Sequence, residues 1–219
     1  MRAASAMVGM LSLAVGCTIP PSRSSTEIST RDMHLSVTLE GVSTGTHVRA
    51  SLRGPFGDFD LDGGDAFSLY VTGQPTALVS DGHGTFTAET PARSGDFVFD
   101  LVRPADRGAR VTMAMPPDTD FVIDPPAAGL VPVRWTASEV PYPTTLAVTG
   151  ACVAGGTLTL ARDTGAYLID VAAMGPKGGS CTLTVTLTRQ IRGSAYLLGQ
   201  PWMNYTARQT RTAEVTWNP

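Results

Sequence analysis

Hydrophobic and polar residues alternate along most of this chain, and this period of two restricts it to β-structure more than any other feature does. Leu35, Val37 and Leu39 are separated by polar residues, as in a strand that has one face in a core and the other in water. Glycine, proline and aspartate clusters interrupt the pattern at hairpin spacing, and no segment after residue 17 has the period of an amphipathic helix. The predicted strands are 35–39, 48–53, 67–71, 76–79, 85–88, 97–102, 111–115, 121–123, 131–136, 145–148, 157–160, 167–171, 182–188 and 207–217.

A proline-rich segment divides this all-β pattern into two parts. The pairs Pro116-Pro117 and Pro125-Pro126 bracket it, and paired prolines cannot continue a central strand. The next strand ends in Trp135-Thr136 and resembles the opening of many bacterial immunoglobulin-like domains. The sequence therefore predicts two consecutive immunoglobulin-like antiparallel β-sandwich domains, at residues 33–124 and 125–219.

The first 17 residues have the layout of an export signal. Arg2 gives a positive start, an apolar run up to Leu13 is too short to span a bilayer, and small residues lead to Cys17. This segment resembles the lipobox of bacterial lipoproteins, although Ala14 stands where that family prefers leucine. The resemblance implies removal of residues 1–16, a diacylglyceryl group on the cysteine thiol and attachment to a membrane. The same small residues also fit an ordinary secretory cleavage site, which would give a secreted soluble protein.

Residues 17–32 are predicted to form a flexible tether between the lipidated cysteine and the first domain. They are rich in serine, threonine and proline, lack periodicity and offer little to bury. Thr18 follows the cysteine, and in enteric lipoproteins the absence of aspartate at this position favours passage to the outer membrane. By this resemblance we expect a lipid anchor in the outer membrane, with the occupied face left open.

The chain has three cysteines, Cys17, Cys152 and Cys181. Lipidation of the first would leave one pair, and export would bring that pair to an oxidising compartment where a disulfide can form. The alternative is two buried free thiols. Trp135 precedes both cysteines of the pair and the interval between them is short, so the expected bridge joins a loop or adjacent strands rather than two sheets.

The charge of the chain excludes one class of partner. The formal net charge is −3, Lys177 is the single lysine, and no basic cluster provides a footprint for nucleic acid. Hydrophobic residues at 42% suffice for a packed core, and charged residues at 16% are too few for a disordered chain. No cofactor is predicted, and no apolar run after the signal is long enough to cross a membrane.

Four aspartates in one short segment, Asp58, Asp60, Asp62 and Asp65, have spacing that suits a calcium loop, with glycine available for the bend. Leu69 stands where a bidentate glutamate would complete the coordination shell, and no flanking helices are predicted. The favoured interpretation is a strand whose aspartates face water and which runs into a Gly-Gly turn.

Two patterns associated with catalysis are weak. Residues 41–45 fit the Gly-x-Ser-x-Gly pattern of a hydrolase nucleophile elbow, which requires a strand, a strained turn and a helix. No helix is predicted after them, so a hairpin or loop is the favoured interpretation. His34, His47 and His83 stand apart and lack the spacing of zinc ligands. No catalytic residue is predicted.

Aromatic residues concentrate near the C-terminus, at Tyr196, Trp202, Tyr205 and Trp217. The first three lie in a segment that glycine and proline interrupt, and this segment is predicted to be a loop. Exposed aromatic residues there could stack on sugar rings or bind a protein. The alternative is that they fill the open end of a sandwich.

The mature chain as a whole is similar to a group of uncharacterised proteobacterial lipoproteins. The matching segments are Leu-Asp-Gly-Gly-Asp-Ala-Phe at 61–67 and Arg-Gln-Thr-Arg-Thr at 208–212. This resemblance implies the architecture and carries no activity. The sequence thus predicts a non-enzymatic, lipid-anchored envelope protein that serves as a binding or structural module, with a protein or glycan partner left open. The alternatives are an exported enzyme or enzyme accessory subunit with a dispersed site, and a calcium-binding adhesion-type module.

Overall fold

The computed structural model describes residues 23–218, and in this range the predicted all-β fold class is confirmed. The strands up to the proline-rich segment are β1 Arg23–Ser24, β2 His34–Val42, β3 Gly45–Gly54, β4 Gly57–Asp60, β5 Ala66–Val71, β6 Gln74–Thr76, β7 Val79–Ser80, β8 Thr85–Thr90, β9 Gly95–Val102 and β10 Ala109–Met115. Those that follow are β11 Phe121–Ile123, β12 Leu130–Trp135, β13 Thr144–Gly150, β14 Gly156–Leu160, β15 Ala166–Asp170, β16 Cys181–Leu197 and β17 Gln200–Trp217. Short 3-10 helices occupy Ser25–Glu27, Thr30–Asp32 and Ala172–Met174.

The strands form three sheets. The largest has ten strands in the order β1-β4-β3-β2-β17-β16-β13-β14, with β8 also paired to β3 and β7 paired to β8. A four-stranded sheet, β10-β9-β5-β6, and a three-stranded sheet, β11-β12-β15, pack against different parts of it. Most pairs are antiparallel, as predicted, but β1 with β4 and β17 with β2 are parallel.

Two hydrophobic cores lie between these sheets, and we call the two units the first and the second sandwich. Fully buried side chains of the first include Leu35, Leu39, Leu52, Phe97 and Phe99. Those of the second include Val131, Val133, Leu146, Ile169 and Leu183. These residues occupy every second position of their strands, so the alternation that predicts each strand also determines which of its faces is buried.

Strands β16 and β17 form a long hairpin that belongs to both sandwiches. Trp202 and Ala207 lie in the first core, whereas Leu183 and Trp217 lie in the second. Strand β17 pairs with β2, so the first sandwich is completed by a strand from the C-terminal part of the chain. The domain boundary predicted after residue 124 therefore does not divide the two cores, because the inward-facing residues of this hairpin continue both.

Buried polar side chains separate the two cores. The side chains of Arg189 and Asp163 are each 1% exposed, and their charged groups are 2.7 Å apart. Asp163 also accepts hydrogen bonds from the Trp135 indole N–H at 2.5 Å and the Ser138 backbone N–H at 3.3 Å. Arg189 donates to the Thr136 carbonyl. Both charged groups thus have hydrogen-bond partners besides each other, whereas the buried Nε of Arg189 has none among the described residues.

The same junction holds the proline-rich segment between the sandwiches. The carboxylate of Asp118 accepts a hydrogen bond from Arg211 and lies 3.2 Å from the guanidinium of Arg93. The side-chain amide of Gln209, itself buried, donates to the backbone carbonyl of Arg93. Residues 116–120, which begin the segment where the sequence predicts a domain boundary, are therefore bound to the C-terminal hairpin through Asp118 and Arg211.

Residues 23–32 belong to the first sandwich, so the prediction of a flexible tether is wrong for this part of the segment. Strand β1 pairs with β4, and the side chains of Ser25, Ile28 and Thr30 are buried. Although the composition offers few apolar groups, the backbone of this segment supplies hydrogen-bond acceptors to a buried arginine described below. The rest of the predicted tether, with Cys17 and the predicted signal segment, lies outside the described residues.

Two further predictions are wrong in detail. The predicted strand 76–79 is split, because β6 ends at Thr76 and β7 begins at Val79. The predicted aromatic loop is instead the turn end of the β16–β17 hairpin, where Gly199 forms the turn and Pro201 lies beside a bulge. Within residues 23–218, no helix is long and apolar enough to span a membrane.

Candidate functional site

The aspartates of the calcium hypothesis face different protein groups. Asp58 forms an exposed ion pair with Arg53 at 3.1 Å, and Asp60 follows it on β4. Asp62 and Asp65 bracket the turn that comes next, which is closed by a 2.8 Å hydrogen bond from the Asp65 N–H to the Asp62 carbonyl. Among residues 23–218, no three histidine, cysteine, aspartate or glutamate side chains group closely enough to hold a metal ion. The strand and the turn of the favoured interpretation are present, but Asp65 does not face water, because its side chain is 0% exposed.

Asp62 holds the start of the N-terminal segment. Its carboxylate accepts hydrogen bonds from the hydroxyl of Ser24 at 2.7 Å and from that of Ser25 at 3.1 Å. The Ser24 hydroxyl is the largest cause of a lowered pKa for Asp62, because a donated hydrogen bond favours the ionised carboxylate. The carboxylate that the calcium hypothesis assigns to a cation thus binds Ser24 and Ser25 instead.

Arg103 is the centre of a buried cluster that fixes the same segment. Its guanidinium is 2.9 Å from the carboxylate of Asp65, and the two side chains are 1% and 0% exposed. It also donates to the carbonyl of Ser25 at 2.6 Å, the carbonyl of Ile28 at 2.8 Å and the hydroxyl of Thr30 at 2.9 Å. The planar guanidinium, with its five N–H donors, is suited to this set of acceptors. We call this group the Arg103 cluster.

Asp106 and Trp202 complete the cluster around Thr30. The Asp106 carboxylate accepts the backbone N–H of Thr30 at 2.8 Å, and this contact, followed by the N–H of Arg107, holds the pKa of Asp106 at about 2 rather than 3.8. The indole N–H of Trp202 donates to the Thr30 carbonyl at 3.1 Å. The N-terminal segment is therefore bound both to the β9–β10 loop and to the C-terminal hairpin.

The predicted disulfide between Cys152 and Cys181 is present, with the two Cα atoms 5.6 Å apart. Cys152 lies in the turn after β13, and Cys181 is the first residue of β16, which pairs with β13. The bridge thus joins a loop to a neighbouring strand, as expected from the short interval. Closing a loop of this length stabilises a fold by about 3–4 kcal/mol in the chain-entropy model.

The Gly-x-Ser-x-Gly pattern forms a hairpin turn. Strand β2 ends at Val42 and β3 begins at Gly45, with the exposed residues Ser43 and Thr44 between them. Two strands flank this turn, whereas a nucleophile elbow has a strand before the serine and a helix after it. The hairpin interpretation of residues 41–45 is confirmed.

The three histidines lie in different places. His34 begins β2 and contacts the side chain of Asn204 at 3.3 Å. His47 is near the other end of the β2–β3 hairpin, where its Nδ1 is 3.1 Å from a carboxylate oxygen of Glu89. His83 lies in the turn between β7 and β8. The structure does not bring these side chains together.

The aromatic residues Tyr196, Trp202 and Tyr205 do not form a common surface, which corrects the predicted patch. Trp202 is 2% exposed in the first core, and the ring of Tyr205 covers Gly193 and packs on that core. Tyr196 is 68% exposed. Because the segment is a strand rather than a loop, its residues alternate between faces, and the sandwich-filling alternative holds for Trp202 and for Trp217.

A shallow groove of about 540 Å³ lies on the outer face of the ten-stranded sheet. It is lined by Thr38, Glu40, His47, Val48, Arg49, Val79, Thr87, Ala88 and Glu89. Glu40, His47 and Glu89 are direct neighbours across β2, β3 and β8, and Arg208 on β17 extends the row with an ion pair to Glu40 at 2.5 Å. The groove therefore combines charged and hydrogen-bonding groups of both signs with an exposed lining that is mostly apolar and includes Val79.

Comparison with known proteins gives likeness of structure only. No protein-family model and no curated protein matches this chain. A two-domain fibronectin type-III segment of chicken tenascin is 9% identical with a TM-score of 0.31, and the match covers 84% of this chain and 97% of that one. The FN1-FN3 domains of chicken CNTN1 are 6% identical with a TM-score of 0.33, and the match covers 84% of this chain and 63% of that one. The human OSCAR ligand-binding domain is 15% identical with a TM-score of 0.29, and the match covers 84% of this chain and 97% of that one.

Proposed function

We propose that this chain is a non-enzymatic, lipid-anchored binding or structural module of the bacterial cell envelope, attached to the outer membrane through Cys17. The observation that carries the proposal is the disulfide between Cys152 and Cys181. It belongs to an oxidising compartment, which fits the export signal, and it uses two of the three cysteines. Cys17 is then the odd cysteine at the end of that signal, and lipidation gives it a chemical role.

The bound N-terminal segment supports a short connection to the membrane. Strand β1 begins at Arg23, six residues after Cys17, and the residues that follow it are held by the Arg103 cluster. A fully extended chain of six residues spans about 20 Å at most. An anchor at Cys17 would therefore keep the first sandwich close to the lipid surface.

Replacing Cys17 with serine is expected to release the protein from the membrane fraction, because serine offers no thiol for the diacylglyceryl group. The measurement is fractionation of cells that express the wild type or Cys17→Ser, followed by immunoblotting and by labelling with a radioactive fatty acid. We expect label and membrane association in the wild type alone. If both proteins appear in the same soluble fraction, the secreted soluble alternative is correct.

We assign the ligand contact of this module to the groove on the outer sheet face. Its hydroxyl, carboxylate, imidazole and guanidinium groups can donate to and accept from a partner rich in hydroxyl groups, which favours a glycan. Arg49 and His47 lie on one strand, β3, with their side chains on the same outward face. The central position of β3 in the groove makes these two residues the first to test.

Alanine at Arg49 or His47 is expected to weaken glycan binding by about tenfold each, the loss of roughly one charge-assisted hydrogen bond. A glycan array and a peptidoglycan pull-down with the purified mature protein measure this. Thr212→Ala is the matched control, because Thr212 is exposed on the same sheet over the second sandwich. Absence of binding by the wild type, or equal loss in the control, would contradict the groove assignment.

A further inference from the structure

Phe56, Tyr196 and Leu198 are the most exposed large apolar residues of the first sandwich and its hairpin, after Val79 in the groove is set aside. Their exposed fractions are 73%, 68% and 66%. Phe56 lies in the turn between β3 and β4, and the other two lie at the turn between β16 and β17. Such side chains gain free energy when they leave water, so their position in the fold is informative.

The strand directions place both turns at the same end of the first sandwich. Strand β3 is antiparallel to β2, so its final turn lies where β2 begins. Strand β17 is parallel to β2, so the turn that precedes β17 also lies where β2 begins. The exposed apolar residues of both turns therefore project from one end of the ten-stranded sheet.

The N-terminal chain enters the sandwich at this end as well. Strand β4 starts directly after the turn that carries Phe56, and β1 runs parallel to β4 with Arg23 opposite Phe59. The first residue of β1 is therefore its residue nearest to that turn. Arg23, where the described residues begin, therefore lies at the end of β1 that is nearer to the Phe56 turn.

Leu198 occupies a backbone conformation that does not suit leucine. Its φ is 51°, in the left-handed region, and Gly199 follows with a φ of 80°. Asparagine or glycine is favoured at the first position of such a two-residue hairpin turn, because a larger side chain is strained there. Thr72 and Ala128 begin turns of the same kind, so this turn recurs in the fold but carries a large apolar side chain here. Folding alone does not explain a leucine that is both strained and exposed.

We propose that this end of the first sandwich is a membrane-contact surface, where Phe56, Tyr196 and Leu198 enter the interfacial layer of the bilayer. The inference rests on the lipid anchor of the proposed function, which holds this end within about 20 Å of the lipid. Leucine and aromatic side chains, with tyrosine keeping its hydroxyl near the headgroups, suit that layer. Because β17 runs from this end through the first core into the second, the second sandwich would project away from the membrane.

Two exposed ion pairs lie at this end of the first sandwich, and neither favours one sign of lipid. Arg53 pairs with Asp58 in the β3–β4 turn region, and Arg31 pairs with Asp32 just before β2. These pairs are exposed and balanced, so they offer no net attraction to an anionic surface. The contact is therefore apolar, and we expect it in zwitterionic vesicles and in high salt.

The test uses the lipidated protein in phosphatidylcholine vesicles that contain doxyl-labelled lipid. A Tyr196→Cys variant carries an environment-sensitive fluorophore, since the native pair is oxidised and Cys17 is acylated. We expect quenching of this label by the doxyl groups. Phe56→Ser combined with Leu198→Asn is expected to reduce the quenched fraction about tenfold, the effect of removing at least one buried apolar side chain. Asparagine suits the turn, so this change does not weaken the fold.

Leu168→Asn is the matched control, because Leu168 is 58% exposed on β15 of the second sandwich. It is expected to leave the quenching unchanged. Two readouts separate the two proposals. If the protein stays on the vesicles and the label is not quenched, or if the double variant is quenched like its parent, the contact surface is overturned and the anchor stands. If the protein does not stay on the vesicles, the anchor is overturned and the contact surface with it.

Discussion

Replacing Arg103 with methionine is expected to lower the free energy of unfolding by about 3–5 kcal/mol, the cost of leaving a buried charge without its partner. The carboxylate of Asp65 is 0% exposed and would lose its cation. The carbonyls of Ser25 and Ile28 would lose their buried donor as well. Urea denaturation followed by tryptophan fluorescence measures the change. We also expect faster tryptic cleavage after Arg31, because the segment that carries it would detach.

Two further variants test whether the loss in Arg103→Met comes from its buried charge pair. Arg53→Met removes an ion pair at 3.1 Å whose side chains are 65% and 53% exposed, and it should cost at most about 1 kcal/mol. Arg103→Met combined with Asp65→Leu removes both buried charges and should recover part of the loss. If Arg103→Met leaves the urea midpoint and the cleavage rate unchanged, the Arg103 cluster does not hold the N-terminal segment.

Alanine at Asp163 is expected to have an effect of similar size, about 3–5 kcal/mol, at the junction between the two cores. Its carboxylate is the partner of the Arg189 guanidinium at 2.7 Å and accepts the indole N–H of Trp135. Arg189 is 1% exposed and cannot turn to water without opening the junction. The free energy of unfolding, measured in urea, should decrease by this amount in Asp163→Ala. The value for Asp163→Asn should lie between those of the wild type and Asp163→Ala, because its amide oxygen can still accept the hydrogen bond from the indole.

Asp124→Ala is the comparison for this prediction. Asp124 and Arg134 are 2.5 Å apart, as close as a buried pair, but their side chains are 30% and 63% exposed. An ion pair that water can reach contributes at most about 1 kcal/mol. Equal shifts of the urea midpoint in Asp124→Ala and Asp163→Ala would show that burial of the junction pair does not matter.

The strands of this protein could be predicted from its sequence because most of them have one face in a core and the other in water. Leu35, Val37 and Leu39 are buried as their alternation indicates. The disulfide was predictable from the count of cysteines together with the predicted export signal. The junction was predictable only as a break in the pattern, because paired prolines indicate where strands stop and not what binds them.

The buried charges were missed although the sequence carries a signal for them. Phe97, Phe99 and Leu101 face the first core, and Arg103 is the next residue in that series. Arg189 likewise follows Leu187 in the inward series of β16. A charged residue in the apolar phase of a strand indicates a buried partner, and its identity depends on the tertiary fold. The wrong prediction of a flexible tether has the same cause. Ser25 and Thr30 are not hydrophobic, and they are buried because they accept hydrogen bonds from Arg103.

The candidate surfaces depend on strand neighbours that are distant in sequence. Glu40 and Arg208 meet because β17 pairs with β2, and Phe56 shares an end with Leu198 for the same reason. Alternation within a strand predicts which residues point outward, but it does not predict which outward residues lie side by side. The groove and the apolar end were therefore beyond sequence analysis. The strands that carry Thr38, Arg49 and Thr87 were predicted, but Tyr196 was expected in a loop and lies on β16.

The hairpin shared by the two sandwiches has a consequence for the order in which this chain folds if it is exported as proposed. When a chain crosses a membrane from its N-terminal end, β2 emerges before β17. Leu35 of β2 therefore has no neighbour on β17 until Met203 has emerged, about 170 residues later. Until then the open edge of β2 and the unfinished first core are exposed to wrong partners. The part of the protein that emerges earliest is thus completed last, and damage to the final strand acts on the sandwich nearest the N-terminus.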